Sequence, residues 1–228
     1  MMKHLAKLTA GLLLTTLLGA CDAGGGVDGE VLMAYTDIAT FRGNTAPGGG
    51  AEFGVRKEGD SPEATLYASR RIGDEGLEAG TRMLIRYTTP SNEPYTSGEI
   101  ELRGAASITQ TPVELETDLP EGWNTTPVYL VTAWRTGEYV NLHLRLPYSA
   151  EPRVFGLMAD PATLASAWPD VYLVHIMEGD TGATYERRYY ASFDLSPVWD
   201  RPGVEGIRLH VNNSNLDTDT FTFDAPAR

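Results

Sequence analysis

Tyr139-Val140-Asn141-Leu142-His143-Leu144-Arg145-Leu146 is the stretch that decides the fold. Val140, Leu142, Leu144 and Leu146 alternate strictly with Asn141, His143 and Arg145. A period of two is the mark of a strand with one face in a core and the other outside it. Residues 128–134 precede it across Arg135-Thr136-Gly137-Glu138, so the two segments read as a hairpin. Downstream, strands are expected at 153–158, 171–178, 185–195, 206–212 and 220–223. About seven strands in roughly 115 residues is the count and spacing of an antiparallel β-sandwich. One helical turn is expected within 160–168, where Pro161 would stand at an early helical position.

Upstream the pattern stays β but the segments shorten. Strands are expected at 31–41, 51–57, 65–71, 81–88 and 98–109, separated by Pro47-Gly48-Gly49-Gly50, Gly73-Asp74-Glu75-Gly76 and Thr89-Pro90-Ser91-Asn92. Five strands in about eighty residues suggest a small Greek-key barrel of the OB type, which removes its edges by closing. Strand number alone leaves a small sandwich open. The expected organisation is an OB-like barrel over 30–111 and a β-sandwich over 112–228, Pro112 opening the second unit.

The first thirty residues read differently. Lys3 and Lys7 precede an apolar run from Leu8 to Leu18, which is followed by Gly19, Ala20 and Cys21. A basic start, a short apolar segment and small residues form a signal peptide, expected here as residues 1–20. The run is far shorter than the ~20 apolar residues that a spanning helix needs. Leu18-Gly19-Ala20-Cys21 resembles the bacterial lipobox, which implies cleavage before Cys21 and transfer to its sulfur of a diacylglyceryl group carrying fatty acyl chains such as palmitate. More than one chain gives a stable anchor. Cys21 is the chain's single cysteine, so internal disulfides are excluded. Residues 21–29, with Gly24-Gly25-Gly26, form a flexible tether whose reach is on the order of 15–18 Å.

The net charge is −13. Loss of Lys3 and Lys7 with the leader takes it to −15 and leaves Lys57 as the remaining lysine. Such a body repels nucleic acid and anionic lipid, so no nucleic-acid partner is expected.

A search for chemistry returns strands and turns. There is no Gly-x-Ser-x-Gly elbow. The three histidines after the leader sit in strand patterns: His143 and His210 are expected to face outward, and His175 lies within the apolar run 171–177. None has the paired spacing of a zinc site. Asn213, Asn215, Asp217 and Asp219 place oxygens at alternate positions, as early calcium-loop ligands do. Thr218 stands where such a loop needs glycine, so these four are weak metal candidates beside the plainer reading of a polar hairpin loop. Glu99 with Glu101, and Glu114 with Glu116 and Asp118, lie on solvated strand faces rather than in a hydrolytic pair. Tyr67, Tyr87, Tyr95 and Trp123 are candidate stacking surfaces for a glycan. No catalytic residue and no cofactor are expected.

The order of these features is similar to that of the NigD-like lipoproteins of Gram-negative bacteria. The residues that carry the likeness are Leu18-Gly19-Ala20-Cys21, Arg82-Met83-Leu84-Ile85-Arg86-Tyr87-Thr88, Ile108 with Pro112-Val113, Tyr139-Val140-Asn141-Leu142-His143-Leu144 and Ser192-Phe193-Asp194-Leu195-Ser196. The resemblance implies an N-terminal OB-type domain, a C-terminal β-sandwich and attachment to the outer membrane, on either side of it. It supplies no general activity. The expectation is therefore a non-enzymatic envelope lipoprotein that binds or scaffolds an envelope protein or peptide. A glycan-binding or glycan-processing protein is the alternative, and the family name adds a bacteriocin-associated, immunity-type role.

Overall fold

The computed structural model describes residues 32–73, 76–115, 118–149, 153–177 and 185–227. The expected leader, tether and Cys21 lie outside the described residues, as do Glu116 and the Asp74-Glu75 turn.

The described chain is nearly all β. The first five strands are β1 (Ala34–Gly43), β2 (Glu52–Val55), β3 (Ala64–Ala68), β4 (Arg82–Thr88) and β5 (Gly98–Ser107). They close in the order β1-β2-β3-β5-β4, with β3 and β5 parallel and the other pairs antiparallel. Closure leaves no strand edge to pair with another chain. Inside, Phe41, Phe53, Leu66, Ile85 and Tyr87 are each exposed by 1% or less. The expected five-stranded barrel is thus present.

Eight strands follow: β6 (Thr109–Pro112), β7 (Tyr129–Thr136), β8 (Tyr139–Pro147), β9 (Arg153–Ala159), β10 (Asp170–Met177), β11 (Glu186–Asp194), β12 (Gly206–His210) and β13 (Thr220–Asp224). They form two four-stranded sheets, ordered β13-β12-β10-β9 and β6-β11-β8-β7, that share one apolar core. Val140, Leu142 and Leu144 are fully buried in it and Leu146 nearly so, each contributing roughly 1.5–3 kcal/mol. Most pairs are antiparallel, while β10–β12 and β11–β6 are parallel.

Three details depart from expectation. The fifth barrel strand ends at Ser107, and Thr109–Pro112 is a separate edge strand on β11. It is short, polar and partly exposed, so it lacks an alternating signature, and its Pro112 is tolerated because the strand lies at a sheet edge. Residues 161–165 make consecutive turns rather than a helix: Thr163 donates to the Asp160 carbonyl, Ser166 donates to the Thr163 carbonyl, and the Asp160 carboxylate takes the Ala162 N–H. Among the described residues the α-helical turn is α1 (Ser196–Trp199), where Asp194 Oδ1 accepts from both the N–H and the hydroxyl of Ser196. The β7–β8 connection is also tighter than foreseen. Only Gly137 and Glu138 lie between paired Thr136 and Tyr139, and Gly137 has φ +57°, a conformation open to glycine at little cost.

Candidate functional site

The barrel and the sandwich meet around one buried cation. Arg82 begins β4 and is 4% exposed. Its Nε donates to Ser192 Oγ at 2.9 Å, Nη1 to Thr40 Oγ1 at 2.7 Å, and Nη2 to Asn141 Oδ1 at 3.1 Å and Thr136 Oγ1 at 3.4 Å. The guanidinium sits 4.5 Å from the centre of the Tyr139 ring. Asn141 and Ser192 are outward residues of β8 and β11, brought opposite each other by the strand register. They bond one another at 2.8 Å, and Asn141 Nδ2 donates to Thr136 Oγ1 at 2.8 Å. Burial lowers the Arg82 pKa to about 10, so the group stays charged at neutral pH. Among the described residues no carboxylate comes within ion-pair distance of it.

A second clasp lies beside this network. Arg135 of β7 holds Asp60 of the barrel through two bonds of 2.7 and 3.0 Å, and Asp60 also accepts the Ala227 N–H. The Arg135 hydrogen bond pulls the Asp60 carboxyl below its usual range. Backbone bonds from Gly59 to the Arg135 carbonyl and from Gly137 to the Gly59 carbonyl complete it. Between the clasps opens a cleft of about 280 Å³, lined from the barrel by Thr40, Arg42, Arg56, Glu63 and Arg82, and from the sandwich by Tyr139 and Glu138.

The far half of the β11-β8-β7 face is more open, with Thr132 and Arg188 exposed and Tyr129, His143, Arg145 and Tyr190 half-buried. Register sets two rows across it, Arg188–Arg145–Tyr129 and Tyr190–His143–Thr132. The Arg145 guanidinium lies 3.4 Å from the centre of the Tyr129 ring, and the His143 and Tyr190 rings stack at 4.2 Å. Burial, then the charge of Arg188, lowers the His143 pKa. Val131 is 45% exposed beside them, and among the described residues Glu186 is the carboxylate within reach of Arg145, at 3.6 Å. Next to this face Tyr148 and Tyr185 stack at 5.0 Å with Arg187 above Tyr148. Arginine with tyrosine is the pairing that interface cores favour, and here it stands on an acidic chain.

Solved structures of similar fold come from Bacteroides species. A protein of unknown function from Bacteroides vulgatus covers 86% of this chain and 92% of its own, with TM-score 0.61 and 16% identity. A NigD-like immunity protein from Bacteroides caccae covers 83% and 91%, with TM-score 0.56 and 20% identity. The chain shares its fold with a NigD-like protein. A candidate lipoprotein from Bacteroides fragilis has the same shape over 84% and 96%, with TM-score 0.55 and 12% identity. No family model and no curated protein matches the sequence. Among the described residues no helix is long and apolar enough to cross a membrane.

Within this NigD-like fold the residues singled out by sequence are scattered. Asn213 Oδ1 accepts the Asn215 and Leu216 N–H groups, and Asn215 exchanges two bonds with the backbone of Leu130. Both asparagines thus organise a loop and pin it to β7. Asp217 and Asp219 are exposed, Asp219 accepting from the Thr220 hydroxyl. No group of three acidic, histidine or cysteine side chains able to hold a metal gathers among the described residues. His175 is buried between the Thr126 carbonyl and Arg153. His210 bonds Asp170 at 2.8 Å and Thr220 at 3.2 Å, with Asp170 also gripped by Arg208, whose hydrogen bond lowers the Asp170 pKa.

The proposed stacking residues are also mostly engaged. Tyr87 is fully buried, and both it and Tyr95 donate to Asp37; burial raises both phenol pKa values. Trp123 packs edge-on to Tyr172, while Tyr67 lines a shallow groove beside Glu99 and Ile100. Glu101 pairs with Arg103 at 2.7 Å. The sequence reading missed Arg82 and the arginine–tyrosine face. The available signal was Arg82 itself, a cation at the head of the otherwise apolar strand Met83-Leu84-Ile85.

Proposed function

We propose that the protein is a lipid-anchored cell-envelope protein that works by binding a partner, with no catalysis of its own. The arginine–tyrosine face of β7, β8 and β11 carries this reading. Tyr129, Arg145, His143, Arg188 and Tyr190 gather there, with Glu186 the carboxylate beside them among the described residues, on a chain of net charge −13. Aromatic and arginine side chains dominate binding energy at protein interfaces, and the local charge selects an acidic surface. The partner that fits is an acidic segment of another envelope protein. The Leu18-Gly19-Ala20-Cys21 lipobox supports attachment to the outer membrane, which would hold this face at a membrane surface and raise its encounter rate with neighbours. A solved protein of the same fold is described as an immunity protein, which adds a bacteriocin to the partners worth presenting to it.

The test is capture of envelope proteins by the full chain in detergent, with Arg145→Glu/Arg188→Glu as the comparison. Arg188 is exposed and Arg145 half-buried against Tyr129 on the outer side of the sheet, so folding should be kept while a specific partner is lost. Equal capture by both proteins would overturn the reading.

A further inference from the structure

We infer that the cleft between barrel and sandwich is a binding site for a carboxylate group. The site is separate from the arginine–tyrosine face and does not depend on it.

A guanidinium has five N–H donors. Four of its contacts go to the neutral acceptors Ser192, Thr40, Asn141 and Thr136, which leaves one Nη1 N–H of Arg82 without an acceptor. A cation so placed lacks the counter-charge that buried charges ordinarily keep. Arg82 and the Tyr139 ring against it both line the cleft, and the Tyr139 hydroxyl has no hydrogen-bond partner among the described residues. Across from them stand Arg42 and Arg56. Both lean on one carboxylate, Glu63, which accepts from Arg42 and lies 3.6 Å from Arg56. With Glu138 at the rim, the lining carries three arginines against two glutamates, a positive pocket in an acidic protein.

That excess of one suits a monoanion. A carboxylate entering the cleft takes the remaining Arg82 N–H and the Tyr139 hydroxyl with its two oxygens, in the field of Arg42 and Arg56. A phosphate dianion would instead crowd Glu63 and Glu138. The volume of about 280 Å³ lies at the lower end of ligand pockets, which suits a sugar acid or the terminal residue of a peptide rather than an extended chain.

The experiment is isothermal titration of the full chain in detergent with two acid and neutral pairs: galacturonate against galactose, and N-acetyl-alanyl-alanine against its amide. Inorganic phosphate is a fifth arm. The expected result is binding of at least one acid, with its neutral counterpart about tenfold or more weaker, as loss of a charge-assisted bond requires. Galacturonate alone would identify a sugar acid as the source, the dipeptide alone a peptide C-terminus, and both would establish the carboxylate itself. Tyr139→Phe keeps the ring beneath Arg82 and should weaken the acid several-fold without change in melting temperature; Arg42→Gln should do the same. Arg82→Lys should weaken it further, but its effect counts only if the protein melts normally. No binding by either acid, equal binding of acid and neutral forms, or tighter binding of phosphate would each overturn the assignment.

Discussion

At the scale of single residues, two buried groups set the behaviour of the molecule. Arg82 is held by four side-chain acceptors from both units, and Asn141, Ser192 and Thr136 are buried with it. Arg82→Met would leave those acceptors short of a donor, with an expected loss of about 2–4 kcal/mol in urea unfolding. His175 is the second. Its Nδ1–H donates to the Thr126 carbonyl, and its Nε2 accepts from Arg153 at 3.3 Å, so the neutral ring satisfies both neighbours. Burial lowers its pKa to about 4, and the charge of Arg153 adds to this. The unfolded chain binds this proton near pH 6.5 and the folded chain does not, so stability should fall as pH drops from about 6.5 toward 4. The contribution is about 3 kcal/mol by that linkage, and denaturation at pH 7 and pH 4.5 should differ less in His175→Gln.

At the scale of elements, the hairpin β7–β8 and the approach of β12 to Trp168 are two points where glycine is required. Gly137→Ala places a Cβ at φ +57° and should cost about 1 kcal/mol. Gly206→Ala should cost more, since its Cβ would meet the Trp168 ring at 2.2 Å. Chemical denaturation orders the two. The strands were legible wherever burial imposed a period, as along Val140–Leu146 and Met83–Tyr87. Polar β6 was not, because an edge strand with little burial has no apolar rhythm to read. The helical turn moved from 160–168 to Ser196–Trp199 because both segments offer an early proline, and what separates them is the burial of Trp199, which is tertiary. The junction was hidden for a related reason. Arg82, Tyr139, Asn141 and Ser192 fall in three separate strands; register sets Asn141 beside Ser192, and only the packing of barrel on sandwich brings Arg82 within 3–5 Å of them.

At the scale of the whole molecule, the clasps of Arg82 and Arg135 make the barrel and the sandwich one body in which each supports the other. The full chain should unfold in a single calorimetric transition, and Arg82→Met should separate it into two. Lipid attachment is tested by Cys21→Ser, which should move the protein from the membrane fraction to the soluble one. The central claim is that the open face of β7, β8 and β11 meets a partner in the envelope. A photo-reactive residue at Val131, in the full chain in living cells, tests it most directly, with the same residue at Thr222 on the other sheet as control. One discrete adduct at Val131 that disappears with Arg145→Glu/Arg188→Glu is the expected result. No adduct at Val131, or the same adducts at both positions, would contradict it.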